Sequence, residues 1–351
     1  MMKLVSTLIF VNYVLSSILI EKNCQEEFKK FKIKFNKHYS SLKQERRRLK
    51  TFCKNLNEIN KHNKSSKNTF TKTINRFSDK SLLEMKNLQL GVDNLVPQGL
   101  APFVSFSFIS DYFISETEKP QKKDENNLLW SDYVTPVRNQ MDDCGACYAF
   151  GTIEMVETVN QILTSTKYPS KNDWLSPQEI IDCSSFYGNY GCSGGNPASA
   201  LKFLQENGAI LDKDYPYTDS QARCYMVREE PVLFVDKFYQ VEPKNQKLLK
   251  LALAKTPIVV AINMDKLFSY KEGIFDDWSC NTTDLDHVVM LVGYGYDEKL
   301  KKHFWLLKNS YGIEWGENGY FRIEMKNNDE SIGICGITER ALFATIKRSD
   351  N

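Results

Sequence analysis

Nine cysteines stand in 351 residues, seven of them between positions 144 and 335, and they limit what this chain can become more than any other feature. The chain opens on Met1, Met2 and Lys3, followed by apolar runs over 4–11 and 14–20. A short positive start before a short apolar stretch reads as a secretory signal peptide over 1–20, too short to favour a membrane-spanning helix. A secreted chain crosses an oxidising compartment, where thiols pair by default. Cys144, Cys147, Cys183, Cys192, Cys224, Cys280 and Cys335 are an odd set, so one thiol is left over. A zinc site or a redox pair are rival readings of Cys144-Gly-Ala-Cys147, and the zinc site would need further ligands at suitable spacing.

At 42% hydrophobic and 26% charged, the composition excludes collagen-like, disordered and coiled-coil chains. A net charge of +2 gives no reason to expect nucleic acid as a partner. That balance conceals a split. Residues 21–121 carry 20 basic and 11 acidic groups, a net of +9, and residues from 122 onward carry a net of −8. A basic front and an acidic back suit two parts that pack together. No later segment is apolar enough to span a membrane.

Apolar spacing predicts helix over 24–63, through Phe28, Phe31 and Phe35 and then Leu49, Phe52, Leu56 and Ile59. Residues 60–72 read as loop, 74–77 as a short strand and 80–88 as helix. Residues 89–127 hold Pro97, Pro102 and Pro120 and end in the polar run 116–127, which reads as an exposed, cleavable linker. Beyond it, 147–164 reads as a buried helix. Ser176-Pro177-Gln178-Glu179 carries a helix start, and 198–207 is a third helix closed by Gly208. Strands follow over 257–264, 287–294, 304–308 and 319–325. Helices first and strands second predict an α+β domain of two subdomains with a cleft between them. Gly191, Gly194 and Gly195 lack the strand-to-helix setting and the Lys of a phosphate loop.

A lone thiol in a secreted domain directs attention to a base. The main domain offers His287, at the head of an apolar strand, and His303, which reads as solvated. Asn309 could orient such a base. Together, Gln140, Cys144-Gly145-Ala146-Cys147-Tyr148-Ala149-Phe150, Cys192-Ser193-Gly194-Gly195, His287 and Asn309-Ser310-Tyr311-Gly312 resemble the papain-like cysteine peptidases. The front part resembles the propeptide of the cathepsin L-like group. Arg48, Phe52, Asn55, Ile59 and Asn63 match one spaced motif, with Gln44 where Glu is usual. Asn75, Phe77 and Asp79 match a second, with Thr73 for Gly.

The resemblance implies a signal peptide over 1–20, an inhibitory propeptide over 21–121 and a papain-like peptidase domain over 122–351, with a helical left part and a β-barrel-like right part. It implies Cys147 as nucleophile, His287 as its base, Asn309 as orienting group and Gln140 as an oxyanion donor. Neither metal nor organic cofactor is required. It implies bridges Cys144–Cys192, Cys183–Cys224 and Cys280–Cys335, leaving Cys147 free. The specificity pocket would be lined by Gly194, Gly195, Asn196, Pro197, Ala261, Leu285 and Val288, with Arg340 at its far end. That arginine either pairs with an acidic substrate residue or turns to solvent. Expected partners are peptide substrates, the chain's own propeptide and protein inhibitors of cysteine peptidases, with no nucleic acid and no membrane after signal removal. A lysosome- or vacuole-like compartment, an extracellular space or a digestive lumen fits the leader.

Several positions depart from the family pattern. Met141-Asp142-Asp143 fills what is a two-residue gap. Tyr148 and Tyr311 stand where Trp is usual, while Trp315 is kept. Only Trp130 survives of the usual start of the mature chain. A secreted binding or regulatory module on the same fold is the alternative from another class. No His-rich insertion follows Cys192, which favours an endopeptidase over an exopeptidase. Asn281-Thr-Thr and Asn63-Lys-Ser are glycosylation acceptor patterns.

Overall fold

The computed structural model describes residues 23–89, 100–104, 109, 121–124, 127–167, 170–225, 230–326 and 330–348. The expected signal peptide lies outside them, as does most of the expected linker. Among the described residues no helix is long and apolar enough to cross a membrane.

The front part is a small helical unit with its own core. Residues 23–34 form α1 and Leu42–Asn63 form α2, so the single helix expected over 24–63 is broken. The break has a local cause. Asn36 takes a positive φ of 49°, and Ser41 is extended and caps α2 by accepting the Gln44 N–H. Gln44 reaches back to the Ser40 N–H at 2.6 Å, so the residue that replaces the motif's Glu still serves as a cap. Phe52 of α2 is fully buried against Phe28 and Phe31 of α1, at 5.3 and 4.9 Å between rings. A Cys24–Cys53 bridge ties the two helices together.

The strand expected over 74–77 lies earlier, as β1 at Phe70–Lys72, inside the stretch read as loop. Its partner is distant in sequence: β1 pairs antiparallel with Tyr270–Phe275 of the main domain. Gly273 makes that approach feasible. Its φ is +104°, and a Cβ there would meet the Thr69 carbonyl oxygen at 2.3 Å. Helix α3, Leu82–Gln89, opens with Ser81 and Glu84 capping each other.

Short strands β2 (Phe103–Val104), β3 (Gln121–Asp124) and β4 (Asn127–Leu129) follow. The last two pair with each other, so the end of the expected linker is a hairpin. Helix α4, Cys147–Leu163, is apolar on most of its surface and is accordingly buried on most sides. Helices α5 (Pro177–Cys183) and α6 (Pro197–Asn207) carry side-chain caps from Ser176 and Asn196.

The second half supplies β5 (Leu233–Val241), helix α7 (Gln246–Leu253), β6 (Ile258–Ile262), β7 (Tyr270–Phe275), β8 (His287–Asp297), β9 (Lys302–Lys308), β10 (Tyr320–Glu324) and β11 (Ala341–Arg348). The strand path runs β1-β7-β10-β9-β8-β6-β11-β5-β2, with β4 added on β8. It ends at β1 and β2, so the barrel-like form expected of this half is an open sheet among the described residues. Helix α4 packs against β8 and β11 at the junction of the halves.

A buried charge network fastens that junction. Lys308, at the end of β9, pairs with Glu154 of α4 at 3.1 Å and donates to Thr135 Oγ1 at 3.3 Å. Thr135 donates to Glu157, one turn along α4, at 3.0 Å, and Glu157 also pairs with buried Arg138. Breaking a buried pair costs about 3–5 kcal/mol. Asn309 follows Lys308 directly, so its position is held relative to the helix that begins at Cys147.

Candidate active site

Cys147 is the first residue of α4, is fully buried and is the free thiol of the chain. The three bridges of the main domain are Cys144–Cys192, Cys183–Cys224 and Cys280–Cys335. The first fixes the turn entering α4 and leaves Cys147 no partner within reach of oxidation. Helix α4 has no side-chain N-cap, so its first N–H groups face the thiol end of the helix.

His287 opens β8 and is fully buried. Its Nε2 lies 2.8 Å from Asn309 Oδ1, which also accepts the Ser310 N–H at 2.8 Å. An amide oxygen there fixes Nε2 as the protonated nitrogen. Nδ1 then carries the lone pair, and it is buried with no hydrogen-bond partner among the described residues. The backbone N–H of Val288, the next residue, is near enough to the Cys147 thiol to favour its charged form. Thiol and imidazole therefore belong to one buried locus.

Burial dominates the charge state of this pair. It pushes the Cys147 thiol up to about 12, against the backbone N–H groups of Val288, Tyr148 and Cys147. It pulls His287 down to about 4, against the Asn309 hydrogen bond. The pair is neutral in this covered form.

The ring of Tyr311 lies 4.9 Å from that of His287, and Trp315 packs edge-on against Tyr311. Tyr311 thus covers the His–Asn hydrogen bond from the position usually held by Trp. Tyr148 satisfies its hydroxyl by donating to the Gly191 carbonyl at 3.1 Å. Gln140 donates from Nε2 to the Cys144 carbonyl at 3.3 Å, while its Oε1 accepts the Ser310 hydroxyl at 2.5 Å. Ser310 therefore decides which end of the amide faces the thiol turn. Ser310 stands within the motif, where its spacing alone carries no sign of this contact.

The expected pocket residues fall in two groups. Ala261 and Val288 are cross-strand partners on β6 and β8, and the Ala261 N–H bonds to the Arg340 carbonyl at 3.0 Å. Leu285 is buried beside Gly336. In the second group, Gly194 has a φ of +110°, and a Cβ on Gly195 would strike Asn189 and Tyr148. Asn196 caps α6 and Pro197 is its first residue. Arg340 is half-buried. His303 lies near the start of β9, paired with Tyr296 at the far end of β8 from His287, and takes no part in the site. Asn281 is exposed, whereas the Asn63 amide is engaged in two hydrogen bonds with the Lys72 backbone.

The front part sits on this site. Phe77 packs edge-on against Tyr311 at 4.9 Å, so one ring separates it from His287. Arg76 donates to the Tyr311 and Met141 carbonyls at 3.0 and 3.3 Å. Arg76, Lys37 and Lys80 converge on Asp142 at 2.9, 3.5 and 3.6 Å, and Lys86 pairs with Asp265 and Asp284. Each cation comes from the basic front and each anion from the acidic back.

Comparison with known proteins agrees with this geometry. Residues 120–345 match the family described as papain family cysteine protease, and residues 28–85 match the cathepsin propeptide inhibitor domain. The chain is 31% identical to a cathepsin L-like proteinase of Phaedon cochleariae, over 91% of this chain and 93% of that one. It is 36% identical to the viral cathepsin of Cydia pomonella granulosis virus, over 90% and 89%. Among solved structures, the digestive procathepsin L 3 of Tenebrio molitor larval midgut aligns with a TM-score of 0.76 and 32% identity, covering 92% of this chain and 99% of that one. The recombinant stem bromelain precursor aligns with the same TM-score, identity and coverage. The lone thiol at a helix start, the buried His–Asn pair and the basic helical unit packed over both are thus the parts of a zymogen, and the chain belongs to the papain family of cysteine proteases, with a cathepsin-type inhibitory propeptide.

Proposed function

We propose that this chain is the precursor of a cysteine endopeptidase that acts once the front part has left. Cys147 loses its proton to His287 Nδ1, and the sulfur attacks the scissile carbonyl. The carbonyl oxygen becomes an oxyanion facing the Gln140 amide and the Cys147 N–H. His287 returns the proton to the leaving amine, which departs and leaves a thioester. Water, deprotonated by His287, then releases the acyl group and regenerates the thiol. Asn309 keeps the imidazole in the tautomer and orientation that both transfers need. Secretory routing to a lysosome-like or extracellular compartment accords with the leader and the bridges.

The observation that carries this reading is the free Cys147 at the start of α4, against a histidine whose Nε2 is already committed to Asn309. A thiol-reactive peptide epoxide tests it. The matured protein is expected to label at Cys147, shown by peptide mass mapping, and the uncleaved chain or a Cys147→Ser variant is not. Matured protein that neither labels nor cleaves a casein substrate would instead be a binding module on a peptidase fold.

A further inference from the structure

Next to the catalytic strand lies a group of carboxylates that the mechanism leaves unused. Asp265 and Asp284 grip the Lys86 ammonium at 3.0 and 2.9 Å. Behind them, Asp286 is nine-tenths buried. Its Oδ1 accepts the Met264 N–H at 2.8 Å, and its Oδ2 is buried without a hydrogen-bond partner. Burial, with Asp265 and Asp284 nearby, pushes this carboxyl up to about 7, opposed by the Met264 N–H and by Lys86. Two carboxylates therefore hold one ammonium, and a third, buried and short of a partner, stands close by.

Their place in the fold is set by register. Ile262, the last residue of β6, is the cross-strand partner of His287, the first of β8. Residues 263–265 and 284–286 consequently lie together at the strand end that presents the imidazole. Within that stretch the side chains divide. Leu285 lies against Gly336, where a Cβ would sit 2.6 Å from Leu285 Cδ2, on the side of the expected pocket. Asp284 turns instead to Lys86, and Asp286 to the Met264 N–H beside Asp265. If the pocket takes residues before the scissile bond, the opposite side of His287 receives the leaving amine that it protonates.

Lys86 belongs to helix α3 of the front part, so a lysine side chain is bound there in the covered form. When the propeptide leaves, Asp265 and Asp284 lose that cation. Resting on the peptidase reading above, we propose that Asp265 and Asp284 form a cation-accepting subsite, taking a lysine or arginine of the substrate on the leaving-group side of the bond. The propeptide's Lys86 occupies it until activation.

Quenched fluorescent peptides test this on the matured protein. The residues before the bond are held fixed, and Lys, Arg, Gln or Glu is placed in turn at each of the first three positions after it. At one of these positions kcat/KM is expected to favour Lys or Arg over Glu by about tenfold at low salt, the size suited to a pair of partly exposed ion pairs. In an Asp265→Asn/Asp284→Asn variant the Lys-to-Glu ratio is expected to fall to about unity. The ratio is taken within each protein, so a general loss of activity or folded material cancels. A wild-type ratio near unity at all three positions, or one the double substitution leaves unmoved, overturns the proposal. Cleavage of no peptide, including those with Gln, overturns the peptidase reading itself and this subsite with it.

Discussion

Burial and the start of α4 act on the Cys147 thiol in opposite directions, and in the covered protein burial wins. The thiol stands near 12 and the imidazole near 4, so the pair is neutral across the physiological range. Between the thiol's usual value of about 9 and 12 the covered form keeps a proton that an open form gives up, so rising pH works against the cover. Between about 6.5 and 4 the covered imidazole resists a proton that an open one accepts, so falling pH works against it too. Iodoacetamide reacts only with the thiolate. Alkylation of Cys147 in the uncleaved chain is therefore expected to be slow at pH 6–8 and to climb about tenfold per pH unit. Matured protein, with its thiol returned towards the usual value, is expected to react about a thousandfold faster at the same pH and to level off above about pH 9, where the uncleaved chain still climbs. Mass-spectrometric alkylation rates across pH check this, and a fast, flat profile before cleavage would contradict it.

At the level of elements, the segment from Gln140 to Cys147 does more than enter α4. Asp142, in the stretch that is longer than the family pattern, receives Arg76, Lys37 and Lys80 from three places in the propeptide. Burial lowers the proton affinity of Arg76 and Lys80, and the Asp142 charge opposes that effect. Asp142 itself keeps 29% of its side-chain surface in solvent, so each pair is screened and worth up to about 1 kcal/mol. Asp142→Asn is expected to weaken propeptide docking by about 1–2 kcal/mol and to speed self-processing at a fixed pH by roughly tenfold. Gel-resolved loss of the precursor with time measures it, and an unchanged rate would remove Asp142 from the latch.

For the whole molecule, the charge split counted along the chain becomes an interface. The propeptide adds β1 to the edge of the main sheet, places Phe77 on Tyr311 and meets acidic groups with basic ones. The boundary between the parts is set by what the peptidase core needs. Leu128 is buried and pairs with Tyr294, and Trp130 is buried with its indole N–H on the Leu253 carbonyl at 2.8 Å. Removing them would open the core, at a cost of about 2–5 kcal/mol for a residue such as Leu128. The matured chain is thus expected to begin at or before Leu128 and after residue 115. Intact mass and terminal sequencing after acid incubation would show this, and a terminus beyond Leu128 in active protein would refute it.

The odd cysteine count and the helix that starts at Cys147 are legible in the chain's own residues, while the three bridges of the main domain and the His287–Asn309 pair are legible through the resemblance to a known family. These are carried by residue types whose chemistry is scarce and whose spacing is local or tied to a known motif. The sequence also held the propeptide motif, because Phe52, Asn55 and Ile59 recur on one helix face. Only the tertiary structure decided that residues 70–72 form a strand, since their ladder partner lies some two hundred residues away and their own pattern is polar. The same holds for Ser310 turning the Gln140 amide, for Asp142 gathering three cations, and for Asp265 and Asp284 meeting at Lys86. Each depends on strand register and on packing between distant segments, and periodicity within one segment carries no information about which other segment will face it.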